Sequence, residues 1–318
     1  MNNITKNRQS KEQLHKIIEK VFQGKVTLTD YRELTDGFCN VAYDLVLSDG
    51  RQAILKIAPP TGVQMMSCEA ELMKTEVFAM RLAAEHQIPG VARIYAYDDS
   101  RELCTGEYFI MEKLAGQGCH VAKQDMTDEQ RAEIDFKVGQ LLHKIHQIKG
   151  KTFGHLCVKE LQKPVWFDAF YSMVEEVIGD GVRAGIEIGV DYDEILALLK
   201  KHKEAFLEVK EPELVHFDSW DGNIFVKDGE IVGLIDWERA LWAEGLMEDR
   251  FRFHSVTDAF RRGYGLETLT ESQQLRSRWY DIYLYLIMMF EGTYRQYETD
   301  EQYRWVHELF MKVWKQLK

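Results

Sequence analysis

The stretch that decides the fold is HFDSWDGN at residues 216–223, followed after a short interval by IDWE at residues 235–238. Apolar, β-branched segments lie between the two motifs and flank Asp228-Gly229, a dipeptide typical of two-residue hairpin turns. We therefore predict that a single β-hairpin joins the two motifs.

This hairpin has a consequence for three polar side chains. Pairing outward from its turn places Asn223 opposite Leu234, two residues from Asp236, so that Asn223 and Asp236 lie at the same open end. An amide oxygen and a carboxylate are hard ligands suited to Mg²⁺, which takes few protein ligands. Asp218 lies on the loop that enters the hairpin, where it could accept a proton from a hydroxyl beside the metal.

A lysine and a glutamate give a second signal in the N-terminal part. Lys56 ends an apolar strand, and Glu76 lies on the apolar face of the following predicted helix, which its rivals Glu69 and Glu71 do not share. An unpaired glutamate on such a face is costly, so Lys56 is the expected partner of Glu76. A pair of this kind beneath a turn suits a protein that holds the phosphates of a nucleotide.

The pattern of predicted elements divides the chain in two. The first part consists mostly of short strands with one interposed helix, and the second is dominated by helices, one of them preceded by a capping box of Thr127 and Gln130. The pattern indicates an α+β protein with an N-terminal lobe at residues 1–113 and a C-terminal lobe at residues 114–318.

Composition narrows the function classes. The 318 residues include 40 Lys+Arg and 52 Asp+Glu, a net charge of −12, and 45% are hydrophobic. This is a globular composition, and its acidity argues against a nucleic-acid partner. No segment reaches the roughly 20 apolar residues of a membrane span. The five cysteines have neither disulfide nor zinc-site spacing, so we expect free thiols and a cytoplasmic location.

The order and spacing of these motifs resemble the aminoglycoside phosphotransferase and choline kinase group, small-molecule kinases with a two-lobed protein-kinase-like fold. The similarity covers about residues 30–255. The resemblance implies that Asp218 is the catalytic base and that Asn223 and Asp236 hold Mg²⁺. It also implies a site for ATP between the lobes. The residues it places on ATP are Gly37 and Asn40 in a turn, the pair Lys56 and Glu76, and the backbone of Glu112 and Leu114.

The chain departs from the family pattern at three places. Phe217 stands where the family has glycine, which is expected to narrow the loop beside the base. Cys39-Asn40 stands where Ser-Asn is common, which removes a hydroxyl contact to phosphate. Residues 243–249 replace the usual Gly-Asp-Pro. A protein kinase is disfavoured because the HRD, DFG and APE motifs are missing.

We therefore expect an ATP- and Mg²⁺-dependent O-phosphotransferase acting on a hydroxyl of a small molecule. Four carboxylates just past Asp236 could form an acidic pocket that attracts a cationic acceptor such as an aminoglycoside, or could equally form a solvated face. These are Glu238, Glu244, Glu248 and Asp249. An aminosugar-bearing macrolide, a ketosamine or a choline-like acceptor stays open, and the D-x-W-x-G-N pattern is similar to that of the ketosamine kinases. The many aromatic residues near the C-terminal end also allow a hydrophobic acceptor.

Two other classes remain possible on the sequence alone. A non-catalytic nucleotide-binding module of the same fold would keep the same side chains. A metal-dependent hydrolase built on Asp218, Asn223 and Asp236 would not need Lys56 or Glu76. The sequence does not indicate the oligomeric state.

Overall fold

The computed structural model describes residues 5–35, 37 and 39–318. The N-terminal elements are α1 (Lys11–Phe22), β1 (Leu28–Leu34), β2 (Val41–Leu47), β3 (Gln52–Ile57), α2 (Leu72–Glu85), β4 (Ile94–Asp98) and β5 (Tyr108–Glu112). The five strands form one antiparallel sheet in the order β1-β2-β3-β5-β4. The strand-rich first part that the sequence predicts is therefore present.

The remaining elements are mostly helices with short strands between them. They are β6 (Gln117–Gly118), α3 (Cys119–Ala122), α4 (Asp128–His146), β7 (Gly154–His155), α5 (Trp166–Arg183), α6 (Tyr192–Lys201), α7 (Lys203–Phe206), β8 (Glu213–Val215), β9 (Ile224–Lys227), β10 (Glu230–Leu234), β11 (Leu241–Ala243), α8 (Asp258–Tyr264), α9 (Glu271–Tyr294) and α10 (Glu301–Leu317). Small sheets β10-β9-β6 and β7-β11-β8 hold the loops between the helices.

Two helix starts illustrate how the sequence fixes these elements. The Ser10 hydroxyl caps α1 by accepting from the Gln13 amide at 3.2 Å. The predicted capping box of α4 is present, with Thr127 and Gln130 each bonding the other's backbone. Both helices therefore begin where a side chain satisfies an otherwise unpaired backbone amide.

Helix α2 belongs to the larger of two apolar cores. The smaller core lies between α1 and the first three strands, where Leu14, Val41 and Leu55 are fully buried. Val77 and Met80 of α2 instead join the core that continues through the C-terminal helices. The helix that carries Glu76 is thus held by packing against the C-terminal part.

The hairpin of β9 and β10 departs from the predicted register. A β-bulge between Ile231 and Gly233 adds one residue to β10, so Ile224 lies opposite Leu234 and the Ile235 amide donates to the Asn223 carbonyl at 2.9 Å. The prediction that Asn223 faces Leu234 is therefore wrong by one residue. The bulge causes this shift, because it sets two residues of β10 against one residue of β9. It moves Asn223 one position closer to Asp236.

All five cysteines are free thiols. Within the part of the chain that the structure describes, every helix is too short or too polar to cross a bilayer.

Candidate active site

His216 fixes the loop that carries Asp218. The His216 Nε2 atom donates to the Ile235 carbonyl at 3.0 Å, while Nδ1 accepts from the Asp218 amide at 3.3 Å. This pair of bonds requires a neutral imidazole, and burial lowers the pKa of His216 accordingly. The loop before the hairpin is thereby tied to the end of β10.

Asn223 is oriented by Asp218. Its Nδ2 atom donates to the Asp218 carbonyl at 2.8 Å and to Asp218 Oδ2 at 3.1 Å. Only an amide nitrogen can donate, so these bonds fix which end of the side chain carries the oxygen. Asn223 Oδ1 has no hydrogen-bond donor among the residues described.

Asp236 ends the hairpin in a left-handed backbone conformation, with φ of 62°. Its Oδ1 atom accepts from Lys56 Nζ at 2.5 Å, and 35% of the side chain is exposed. Asp236 Oδ2 and Asn223 Oδ1 are two hard oxygens left without a protein donor in the described structure, which fits a magnesium site completed by phosphate and water. No group of three or more His, Cys, Asp or Glu suited to a metal occurs among the same residues.

Lys56 also contacts the predicted glutamate. Lys56 Nζ lies 2.6 Å from Glu76 Oε1, and the Glu76 side chain is fully buried. Burial opposes the charge on Lys56, but Asp236 and Glu76 outweigh it and raise the pKa of Lys56, which stays a cation. Burial raises the pKa of Glu76 to about 8 against the opposing effect of Lys56. The two lobes therefore meet at one ammonium shared by two carboxylates.

The turn before β2 touches the segment that follows Asp236. Asn40 is buried, and its Nδ2 atom donates to Glu238 Oε2 at 2.7 Å. Gly37 is exposed, and its carbonyl accepts from Lys6. The predicted turn also includes Asp36 and Phe38, which lie outside the described residues. The role of Gly37 and Asn40 toward phosphate stays a prediction.

The backbone amides at the end of β5 point alternately to two sides. The Glu112 amide donates to the Arg93 carbonyl at 2.8 Å, and the Lys113 amide points the other way, to Gln52 at 3.4 Å. Because backbone groups alternate between the two sides of an extended chain, the Glu112 carbonyl and the Leu114 amide face the same side. Their predicted contact with adenine is compatible with this geometry and remains a prediction.

The surroundings of Asp218 disfavour the charged form of its carboxyl group. Burial raises the pKa of Asp218 to about 6, and Asp236 and Glu238 add to the effect, while Arg239 opposes it. Arg239 is held by Glu291 at 2.9 Å. A base whose pKa lies near the pH of the surrounding solution takes up and releases protons readily.

Sequence reasoning missed the role of Glu248. Its Oε2 atom accepts from the His216 amide at 3.0 Å and its Oε1 atom from the Ser219 hydroxyl at 2.8 Å. Burial opposes its charge, but the hydrogen bond from His146 and the nearby His216 prevail and lower the pKa of Glu248 to about 2. Glu248 thus holds the loop of residues 216–219 in place through its backbone and a hydroxyl. No motif marks it, since its partners are a backbone amide, a hydroxyl and a histidine from a distant helix.

The four carboxylates considered as an acidic pocket are all engaged inside the protein. Glu238 accepts from Asn40, Glu248 from the catalytic loop, and Glu244 from Arg276 at 2.7 and 2.8 Å. Asp249 is 6% exposed. They form neither an open acidic pocket nor a solvated face.

Phe217 acts through its backbone. The residue has φ of 71°, in the left-handed region that favours glycine, and its ring is buried against Tyr283 with 5.9 Å between ring centroids. The ring therefore points into the helical core, and the expected narrowing of the loop is replaced by a strained backbone held by packing.

This geometry predicts an unusual order of stability for two variants. Phe217→Ala is expected to lower the free energy of unfolding by about 3–5 kcal/mol, since it empties a buried aromatic site. Phe217→Gly should cost about 1 kcal/mol less than Phe217→Ala, because only glycine relieves the left-handed strain. Urea unfolding of both purified variants measures this difference, and a glycine variant less stable than the alanine variant would contradict it.

Comparison of the sequence with family models gives a match to the phosphotransferase enzyme family over residues 30–246. This range includes the turn before β2, Lys56, Glu76 and the whole β9–β10 hairpin. A search of curated proteins gives no match.

Solved structures share the fold at low sequence identity. A candidate fructosamine-3-kinase from Thermobifida fusca has a TM-score of 0.67 at 14% identity, covering 95% of this chain and 98% of that one. A thermostable variant of aminoglycoside phosphotransferase APH(4)-Ia, in a ternary complex with AMP-PNP and hygromycin B, has a TM-score of 0.65 at 15% identity, with 95% and 98% covered. Aminoglycoside phosphotransferase APH(2″)-IIa with streptomycin and ATP has a TM-score of 0.59 at 13% identity, with 98% and 96% covered. The predicted α+β, two-lobed protein-kinase-like fold is confirmed.

Proposed function

The chain belongs to the phosphotransferase enzyme family, and from this premise we propose that it transfers the γ-phosphoryl group of ATP to a hydroxyl of a small molecule with the help of Mg²⁺. The observation that carries the proposal is the 2.5 Å contact between Lys56 of the N-terminal sheet and Asp236 of the hairpin. It brings the proposed phosphate cation and the proposed metal carboxylate together, which supports phosphoryl transfer.

The side chains divide the reaction between them. Lys56, held by Glu76, offsets charge on the phosphates. Asp218 orients the acceptor hydroxyl and takes its proton as the hydroxyl oxygen bonds to the γ-phosphorus. The bond from that phosphorus to the β,γ-bridging oxygen breaks, and the products are ADP and a phosphate ester. Most of the catalysis then comes from positioning and charge.

The magnesium site would consist of Asn223 Oδ1 and Asp236 Oδ2, and the bound ion would neutralise charge on the phosphates. The donor set fits, because Asp218 occupies the Asn223 nitrogen and Lys56 occupies the other Asp236 oxygen. Asp218 also accepts from Asn223, so the proposed base and the proposed metal ligand are held in fixed relation.

For the acceptor we propose a polyhydroxylated small molecule, either an aminoglycoside or a sugar-derived ketosamine. The motif of residues 218–223 resembles that of ketosamine kinases, and Trp220 within it is 45% exposed next to the proposed base. Glu244 bonds to Arg276 and Glu248 to the His216 amide, so neither carboxylate is free to attract a cationic acceptor. An antibiotic-resistance role corresponds to the first acceptor class and a metabolic role to the second.

A coupled ADP-release assay tests the proposal. Purified protein with Mg²⁺ and ATP is offered aminoglycosides, macrolides, ketosamines and amino alcohols. We expect acceptor-dependent ADP release for at least one class, ketosamines or aminoglycosides before amino alcohols. Binding of Mg·ATP without turnover across the whole panel would instead favour a non-catalytic nucleotide-binding module.

A further inference from the structure

The N-terminal segment places a lysine against the phosphate-side turn. Lys6 Nζ donates to the Gly37 carbonyl at 2.5 Å and to the Asn40 carbonyl at 2.7 Å. Asn40 in turn donates through its side chain to Glu238, two residues past Asp236. The ammonium of Lys6 is thus attached to the turn whose Gly37 and Asn40 are predicted to contact the nucleotide phosphates.

The segment is anchored directly after Lys6, which makes this placement a property of the fold. Asn7 is buried, and its Nδ2 atom donates to the Ala58 carbonyl at 3.0 Å. The Gln9 amide donates to the Tyr43 hydroxyl at 2.8 Å. Gly106 lies beneath Asn7, where a Cβ atom would come within 2.8 Å of Asn7 Nδ2. The residues that follow Lys6 therefore hold it in position.

Lys6 forms no ion pair within the described part of the chain. Its two hydrogen-bond partners are carbonyl groups, and the described residues place no carboxylate in ion-pair contact with it. Burial lowers the pKa of Lys6, while Cys39 and Glu33 act in the opposite direction. An ammonium has three donors, so two bonds to the turn leave one donor for an anion.

The turn itself supplies an unusual surface for an anion. Two of its carbonyl oxygens converge on Lys6, and a phosphate would be repelled by them without an intervening cation. The turn also has Cys39 where a hydroxyl donor would be expected, and burial raises the pKa of Cys39 to about 12, so it remains a thiol. A cation delivered from outside the turn compensates for both features.

Building on the proposed function, we propose that Lys6 is a nucleotide-binding residue that contacts the β- and γ-phosphates of ATP and thereby acts as a second phosphate cation beside Lys56. Lys6 approaches from the turn and Lys56 from β3, so the polyphosphate would lie between two ammonium groups. The terminal phosphates, which carry most of the charge, gain most from this arrangement.

The test measures equilibrium binding by titration calorimetry, without turnover, for Lys6→Met, Lys6→Gln and Lys6→Arg. The ligands are Mg·AMP-PNP and AMP. Lys6→Met and Lys6→Gln should weaken AMP-PNP binding about tenfold, as for loss of a charge-assisted hydrogen bond, and should leave AMP binding unchanged. Lys6→Arg should restore most of the affinity. Lys11→Met, which removes an exposed lysine at the start of α1, is the matched control and should bind both ligands normally.

The outcomes separate this proposal from the proposed function. Equal weakening of AMP and AMP-PNP, or normal binding by Lys6→Gln, would show that Lys6 only braces the turn and would overturn the inference. Unchanged binding of AMP-PNP by Lys6→Met would overturn it as well. If the unmodified protein bound no adenine nucleotide at all, the proposed function would fail first, whatever Lys6 does.

Discussion

Replacing Asp218 with asparagine is expected to lower the turnover number of phosphoryl transfer about a thousand-fold, because the acceptor hydroxyl loses its base. Asparagine keeps the shape of the side chain, and its oxygen can still accept the bond from Asn223 that Asp218 Oδ2 accepts at 3.1 Å. Affinity for Mg·AMP-PNP should therefore stay close to that of the unmodified protein. Initial-rate kinetics and calorimetry give the two quantities.

The matched control is Asp228→Asn. Asp228 lies exposed at the hairpin turn with φ of 51°, a conformation that asparagine adopts readily, so this variant should retain full activity. An Asp218→Asn variant that kept most of its turnover would show that the proposed base is wrong.

The ionisation of Asp218 also determines the expected dependence of activity on pH. Burial raises the pKa of Asp218 to about 6, and the base acts only when ionised. Activity should therefore be constant above this pKa and should fall tenfold for each pH unit below it, down to the range where the fold itself is lost. A rate profile that stays flat through pH 6 and 5, in protein still folded at pH 5, would contradict the assignment.

Lys56→Met is expected to lower both the stability and the activity of the protein. Removing the ammonium leaves Glu76 buried without its cationic partner, so that it either holds an uncompensated charge or takes up a proton, and breaking a buried pair in this way costs about 3–5 kcal/mol. The double variant with Lys56→Met and Glu76→Gln should recover part of that loss, because no unpaired charge remains. Chemical unfolding of the two single variants and the double variant forms a complete cycle.

Phosphoryl transfer should not recover with stability. The double variant still lacks the phosphate cation, so its turnover should remain at least about a hundredfold below normal. Lys137→Met is the control for loss of a surface pair, with Glu230 70% exposed, and should cost less than about 1 kcal/mol. Activity that survives loss of Lys56 in folded protein would favour the metal-dependent hydrolase.

The site could be predicted from the sequence where one local element brings the residues together. Asp218, Asn223 and Asp236 lie on one loop and one hairpin, so turn chemistry and strand alternation suffice to place them near each other. The bulge in β10 escaped this reasoning, which took the pairing as regular, although Gly233 at the bulge is a residue type that often marks one. Its effect was a one-residue error in register.

Contacts between distant segments were harder to predict. The Lys56–Glu76 pair could be anticipated because the cost of an unpaired buried glutamate limits the choices. The sequence assigns Glu248 to an acidic pocket or a solvated face, whereas it is fully buried, because its burial depends on packing across the whole C-terminal part. Lys6 lies 34 residues from Asn40 in sequence, and no local pattern could place it there.

The central claim is transfer of a phosphoryl group to an acceptor hydroxyl, and product analysis tests it most directly. The protein is incubated with Mg·ATP and the acceptor that gives the strongest signal, and ADP, free phosphate and phosphorylated acceptor are quantified by ³¹P NMR and mass spectrometry. We predict one phosphorylated acceptor molecule for each ADP and little free phosphate. ADP matched by free phosphate, with the acceptor unmodified, would contradict the claim.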